Sequence, residues 1–214
     1  MAVSYYTVSA ICGNFFGESG VNPERREIGT HITDLLDPNQ YGGYGLGQWT
    51  NKASIGLTRR TQLIQWLDDN GWDRGSGTGQ LDFLIYEDYW HQNYGSYATL
   101  TDFLNNESTD RHELCRIYWR CWEGITPSTQ SQQDRLNFCD RSFSYIIEHY
   151  DDTNITEWVA NDGTISYTDA LNNSVLVCRQ LMGEPTPQPP DPPIPPTPHP
   201  THRKMPLWMY LRKI

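Results

Sequence analysis

The sequence has no excess of positive charge, no closely spaced cysteine pair and no apolar run of bilayer length, and each absence removes a class. Formal net charge is −10 at neutral pH. The stretch Arg203 to Ile214 carries four cations and no acid, so the remainder holds −14. An acidic body of that size repels a phosphate backbone, and no nucleic-acid partner is expected. The five cysteines are Cys12, Cys115, Cys121, Cys139 and Cys178, odd in number and widely spaced. Without a CxxC pair no zinc site is expected. Buried thiols in a chain made in a reducing cytoplasm are. The opening MAVSYYTVSA lacks the basic and long apolar regions of a signal peptide. No stretch is apolar enough for stable membrane insertion.

What is present suits one domain with an appendage. The 214 residues are 37% hydrophobic and 13% aromatic, with eight Trp and thirteen Tyr. That is enough apolar material for a sizeable core. Aromatic rings serve cores, and exposed ones also stack on sugars. Tyr5 to Phe16 reads as an apolar helix whose end carries Glu18, before Gly20 and Pro23 stop propagation. YGGYGLGQWT, Tyr41 to Thr50, is too rich in glycine for a helix and reads as a loop or short hairpin. Amphipathic helices follow. Leu63, Trp66 and Leu67 share one face, as do Leu114, Ile117, Tyr118 and Cys121, and then Leu136, Cys139, Phe143, Ile146 and Tyr150. A last helix opens with a capping pair, Ser166 and Asp169, and stops at Gly183.

After Gly183 the composition changes. EPTPQPPDPPIPPTPHPTH cannot build a core, and residues 184–202 read as an extended polyproline tether rising about 3.1 Å per residue. Residues 203–214, RKMPLWMYLRKI, are apolar and basic together. They read as a docking peptide, so Arg203–Ile214 is expected to hold a partner protein.

Glu18 draws attention because a glycosidase needs one carboxylic acid still protonated near neutral pH, to protonate the leaving oxygen. Phe15 and Phe16 beside it suggest an apolar setting, which favours the neutral form. About twenty residues after GNFFGESGVNP comes GGYGLGQWT. Together these two motifs make the chain resemble the phage tail lysozyme family, within the lysozyme-like and soluble lytic transglycosylase group. YWRCWEGI followed by DRLNFCDRSFSYI resembles that family's later helix pair. The resemblance covers roughly residues 5 to 150.

The resemblance implies a mainly α lysozyme-like domain over residues 1–183, with a short glycine-rich hairpin or loop. It implies that Glu18 is the general acid and that Gln48, Tyr44, Gly45, Trp49 and Ser19 contact or support the substrate. Tyr44 and Trp49 are expected to stack on sugars, with core packing the alternative for Trp49. The second carboxylate stays open among Glu27, Asp34 and Asp37, with Asp34 and Asp37 carried forward. Glu123 is a further cleft-edge acid, expected to pair with an arginine such as Arg135 or Arg141. No metal or other cofactor is needed for the chemistry.

The resemblance implies that many relatives carry a helix resembling LNNSVLVCRQLMG before the Glu18 helix. Here it follows the domain, so residues 151–183 are expected to be a permuted helix packing on the N-terminal one, or else a generic C-terminal helix. The expected function is cleavage of the β-1,4 bond between N-acetylmuramic acid and N-acetylglucosamine during genome entry. The expected location is the virion tail or tail tip, after synthesis in the host cytoplasm, with action on the bacterial wall. A free endolysin and a glycan-binding structural tail protein are the rival readings.

Overall fold

The computed structural model describes residues 3–91, 97–124 and 128–183. The proline-rich run and Arg203–Ile214, with their expected roles as tether and docking peptide, lie outside the described residues. Helix α1 (Tyr5–Ser19) starts at Ser4, whose hydroxyl accepts from Thr7 N, and ends at Gly20 in the left-handed region with φ 70°. That backbone conformation is cheap only for glycine, so the chain turns sharply one residue after Ser19. Glu18 therefore sits in the last turn of the helix.

The glycine-rich stretch forms a hairpin of β1 (Gly42–Tyr44) and β2 (Trp49–Lys52), antiparallel, with Gly43 opposite Thr50 and Tyr44 opposite Trp49. A short β3 (Leu57–Thr58) pairs with β2. The segment after α1 lies along the free edge of β1. Glu27 N donates to Gly43 O, and Gly45 N donates to Arg25 O. Helices α2 (Arg59–Asp69), α3 (Gly77–Glu87), α4 (Leu100–Leu104), α5 (Arg111–Glu123), α6 (Thr129–His149) and α7 (Tyr167–Met182) complete the order.

Helix α1 is the centre of the packing, touching α5, α6 and α7. Its residues Val8, Ala10, Ile11, Cys12 and Phe15 are fully buried. One of its two glycines, Gly13, lets α6 approach closely, because a Cβ there would lie 2.6 Å from Arg135 O. All five cysteines are buried and none forms a disulfide. Among the described residues no helix is long and apolar enough to cross a membrane.

Helix α7 belongs to the same core. It packs on α1, α6 and α3. Val175, Val177 and Cys178 are fully buried. Asn173 Nδ2 donates to Val21 O and Val159 O, each at 2.8 Å. The Arg179 guanidinium binds the carbonyls of Tyr150, Asp152 and Ile155 in the chain that leads from α6 to α7. Fully burying an aliphatic side chain stabilises by about 1.5–3 kcal/mol, so exposing this face removes more than a small domain can spare. A chain ending at Tyr150 is expected to lose its cooperative thermal transition by circular dichroism. A retained sharp transition makes α7 an appendage to the core.

Candidate active site

Glu18 opens onto a polar cleft of about 310 Å³ whose walls include Arg25, Arg26, Glu27, Gln48 and Thr50. The cleft thus lies between the end of α1, the segment along the β1 edge, and the hairpin. A larger hollow of about 760 Å³ lies between α2 and α3, lined by Trp66, Phe83 and Tyr86 among others, and holds none of the motif residues. The smaller cleft is therefore the candidate.

The two sequence motifs touch. Ser19 Oγ lies 3.0 Å from Leu46 O and 3.1 Å from Phe15 O as a donor, and it accepts from Asn22 N. This single hydroxyl ties the Glu18 turn to the Gly45–Gln48 turn. Gln48 holds a positive φ of 48°, uncommon for a residue with a side chain. Its amide nitrogen donates to Arg25 O and Gly45 O, at 2.9 and 3.0 Å. The side chain is thereby fixed in the cleft wall.

Three expected sugar contacts find different surroundings. Trp49 is fully buried, at 0% exposure, and its indole N–H donates to Glu87. Tyr44 is 4% exposed, with its hydroxyl on Arg74 O. Neither ring has a free face for a sugar, because both point from the hairpin into the core. Gly45 is buried too, and a Cβ there would strike the amide of Gln80. Its missing side chain makes room for α3 rather than for a ligand. The exposed ring of the hairpin is Tyr41, 53% accessible, in the cleft wall. Tyr41 and Tyr44 are an odd number of residues apart, so they face opposite sides of an extended chain. The neighbouring Glu27 charge raises the Tyr41 phenol above its ordinary pKa.

The carboxylates also sort themselves. Asp34 and Asp37 do not line the cleft. Each spends an oxygen on its own loop, Asp34 on Leu36 N and Asp37 on Asn39 N. Both stand in tight turns, where a short carboxylate satisfies the backbone two residues on. Glu27 does line it, held by Gly43 N at 2.8 Å.

The apolar setting expected for Glu18 is corrected by a cation. Successive helical residues are turned by about 100°, so Phe15 and Phe16 point elsewhere. Phe15 meets Tyr118 in the core and Phe16 stacks on Phe138 at 4.0 Å. The Glu18 side chain, 21% exposed, meets Arg135 of α6, with Nη2 to Oε1 at 2.5 Å. Arg135 is 6% exposed, lies 4.1 Å above the Trp119 ring, and gives Nη1 to Asn14 O at 2.8 Å. The same Nη1 stands 3.0 Å from Glu123 Oε1. That approach lacks hydrogen-bond geometry, and Glu123 Oε1, Trp119 Nε1 and Arg135 Nε are all buried without a hydrogen-bond partner. Burial, then the Glu18 charge, pushes the Glu123 carboxyl up to about 9, against the opposing pull of Arg135.

The Glu123–Arg135 pair was expected from the sequence; the sharing of Arg135 with Glu18 was not. The available signal was Gly17, immediately before Glu18. A Cβ at Gly17 would lie 2.5 Å from Arg135 Cζ.

Glu18 thus stands, paired with Arg135, at the edge of a cleft whose lining includes amide, hydroxyl and guanidinium groups. A lysozyme-like helical domain of this kind defines the class, and the comparison with known families agrees. The phage tail lysozyme family model matches residues 2–146, and the chain belongs to that family. The match ends before α7. No curated protein matches the chain. Family membership supports a lysozyme-type function.

Gly17→Ala tests the packing. Alanine gains about 1 kcal/mol of helix propensity over glycine. Overpacking against a buried, ion-paired guanidinium costs typically about 1–3 kcal/mol. The clash is expected to win, lowering Tm by several degrees in a scanning melt. A higher Tm places the guanidinium elsewhere.

Proposed function

We propose that the chain is a phage-tail-borne glycosidase that cuts the β-1,4 bond between N-acetylmuramic acid and N-acetylglucosamine, thinning the wall locally during genome entry. The observation that carries this reading is Glu18, an acid on a rigid helix end, opening with Gln48 onto a polar cleft. Glu18 protonates the glycosidic oxygen as the bond breaks, and positive charge develops at the anomeric carbon. Gln48, Thr50 and the exposed Tyr41 ring offer hydrogen bonds and a stacking face to the sugars. Arg25 and Arg26 give this wall cations in a chain of net charge −10. They suit the carboxylates of the lactyl and peptide groups on the glycan.

Two routes complete the reaction. A second carboxylate orients water, giving a reducing end, or the muramic acid's own C6 hydroxyl attacks, giving a 1,6-anhydro end. Glu27, which lines the cleft where Asp34 and Asp37 do not, is the carboxylate assigned to the first route. The end peptide Arg203–Ile214 holds the enzyme to a virion protein, and the tether raises local enzyme concentration at the wall.

Purified peptidoglycan is to be digested and the products read by mass spectrometry. Glu18→Gln is expected to lose at least about 10²-fold in rate, the scale of a lost general acid. If the folded wild type releases nothing, the chain is a glycan-binding tail part. Glu27→Gln separates the routes: a comparable loss with reducing-end products supports a water-activating Glu27. Near-native rates with 1,6-anhydro products support the intramolecular attack. Detection of the chain in purified virions tests the tail assignment, and its absence there favours a free endolysin.

A further inference from the structure

We infer that Glu18 and Glu123 share one proton across Arg135, and that Glu123 is the positioning residue that stores it between turnovers and returns it to Glu18. The inference rests on reading Glu18 as the general acid.

The geometry gives two carboxyl groups and one guanidinium in a largely buried space. Glu123 is the last residue of α5 and Glu18 lies in the last turn of α1. Both acids therefore stand at helix C-termini, where the backbone carbonyls make a further negative charge unfavourable. Arg135 stays charged and neutralises one carboxylate, not two. One proton on the pair makes the cluster neutral.

Which carboxyl holds that proton follows from the hydrogen bonds. Arg135 aims Nη2 at Glu18 and Nη1 at Asn14 O. Glu123 receives a near approach from Nη1 but no hydrogen bond to Oε1, a buried acceptor without a donor. The Glu123 side chain is also the less exposed of the two, at 13% against 21%. A buried carboxylate oxygen lacking a donor is a poor place for charge and a good place for a proton. Glu18 meets the neighbouring nitrogen of the same guanidinium and is the group placed to take that proton, and the raised value of Glu123 agrees.

The other charged and titratable groups nearby are engaged elsewhere or lie at the rim. Arg59 is bound through Nε and Nη2 to Glu87 and stacks over Tyr89 and Trp122. Arg25, Arg26 and Glu27 belong to the opposite cleft wall. His91 sits beside Gly124 with its ring on the Tyr89 hydroxyl, and Tyr118, on α5 like Glu123, lies fully buried.

The step balances. The Glu123 O–H bond breaks and an O–H bond forms on Glu18. The negative charge moves to Glu123, still against Arg135. Glu18 then gives its proton to the glycosidic oxygen. It later takes one from the attacking water or hydroxyl and passes it back to Glu123.

The full chain, labelled with ¹³C at the glutamate carboxyl carbon, is to be titrated by NMR. One carboxyl is expected to titrate well above the ordinary carboxylate range. Its signal should vanish in Glu123→Gln and titrate lower in Glu18→Gln, where the repelling charge is gone and Arg135 is released. In digestion assays Glu123→Gln is expected to shift the alkaline limb of the pH–rate profile toward acid by about one unit or more. That means a loss of roughly tenfold or more at about pH 8, with partial recovery at about pH 5. A wild type with no glutamate titrating above the ordinary range overturns the inference. So does a high signal that survives in Glu123→Gln, or a rate loss equal at every pH. The titration needs no activity, so it decides the proton-sharing even if the wild type cleaves nothing. Cleavage by wild type with an unshifted Glu123→Gln profile sinks this inference alone.

Discussion

The Arg135 guanidinium is the interaction on which the rest of the site depends. It lies almost wholly inside the protein, where an unpaired charge costs several kcal/mol. Its charge is met by Glu18 from α1 and Glu123 from α5, its plane by the Trp119 ring, and one nitrogen by the Asn14 carbonyl. Three helices thus converge on one side chain. Removing the arginine leaves two largely buried carboxyl groups without a cation, so the cluster fixes the relative positions of α1, α5 and α6 as well as the orientation of Glu18.

That constraint reaches back into composition. Helix α1 carries Gly13 and Gly17, one turn apart, although glycine weakens a helix by about 1 kcal/mol at each position. The first admits the α6 backbone at Arg135 and the second admits the guanidinium. The helix gives up intrinsic stability to bring a cation against the acid at its own end. The hairpin shows the same logic in its turn. Gly45 yields its space to the Gln80 amide, which accepts from Leu46 N and donates to the carbonyls of Pro23 and Arg74. The cleft is therefore built from main chain clamped on both sides, with Gln48 in a strained pose whose side-chain nitrogen is held by two carbonyls.

Much of the fold was legible because periodicity and stop signals are local. The apolar first helix, its end near Glu18, the hairpin at Tyr41 to Thr50 and the Ser166–Asp169 capping box all follow from nearest neighbours in sequence. The Glu123–Arg135 pair was legible as well, since an acid on one amphipathic helix seeks a cation on the next. What the sequence left ambiguous is which side of an element a residue faces once another element covers it. Tyr44 and Trp49 are aromatic residues in a hairpin, and composition alone cannot separate a ring on the core from one on the cleft. Only the register and the position of α3 assign Tyr41 outward. In the same way, Phe15 and Phe16 are neighbours of Glu18 along the chain but not around the helix. Asp34, Asp37 and Glu27 fall within eleven positions, yet only Glu27 runs along the β1 edge.

A polar cleft edged by a buried ionic cluster faces two opposed demands. Stability favours a carboxylate fully matched by its arginine, whereas acid chemistry needs a carboxyl that can carry a proton. A single Glu–Arg pair meets the first demand and frustrates the second. Adding Glu123 changes the count, because one cation cannot satisfy two carboxylates and the surplus charge is most cheaply removed by a proton. Burial of Glu123 then keeps that proton inside the protein, next to Glu18, while the outward side of Glu18 remains open to the cleft. The same arginine that stiffens the site thereby leaves room for the proton that the proposed acid step transfers.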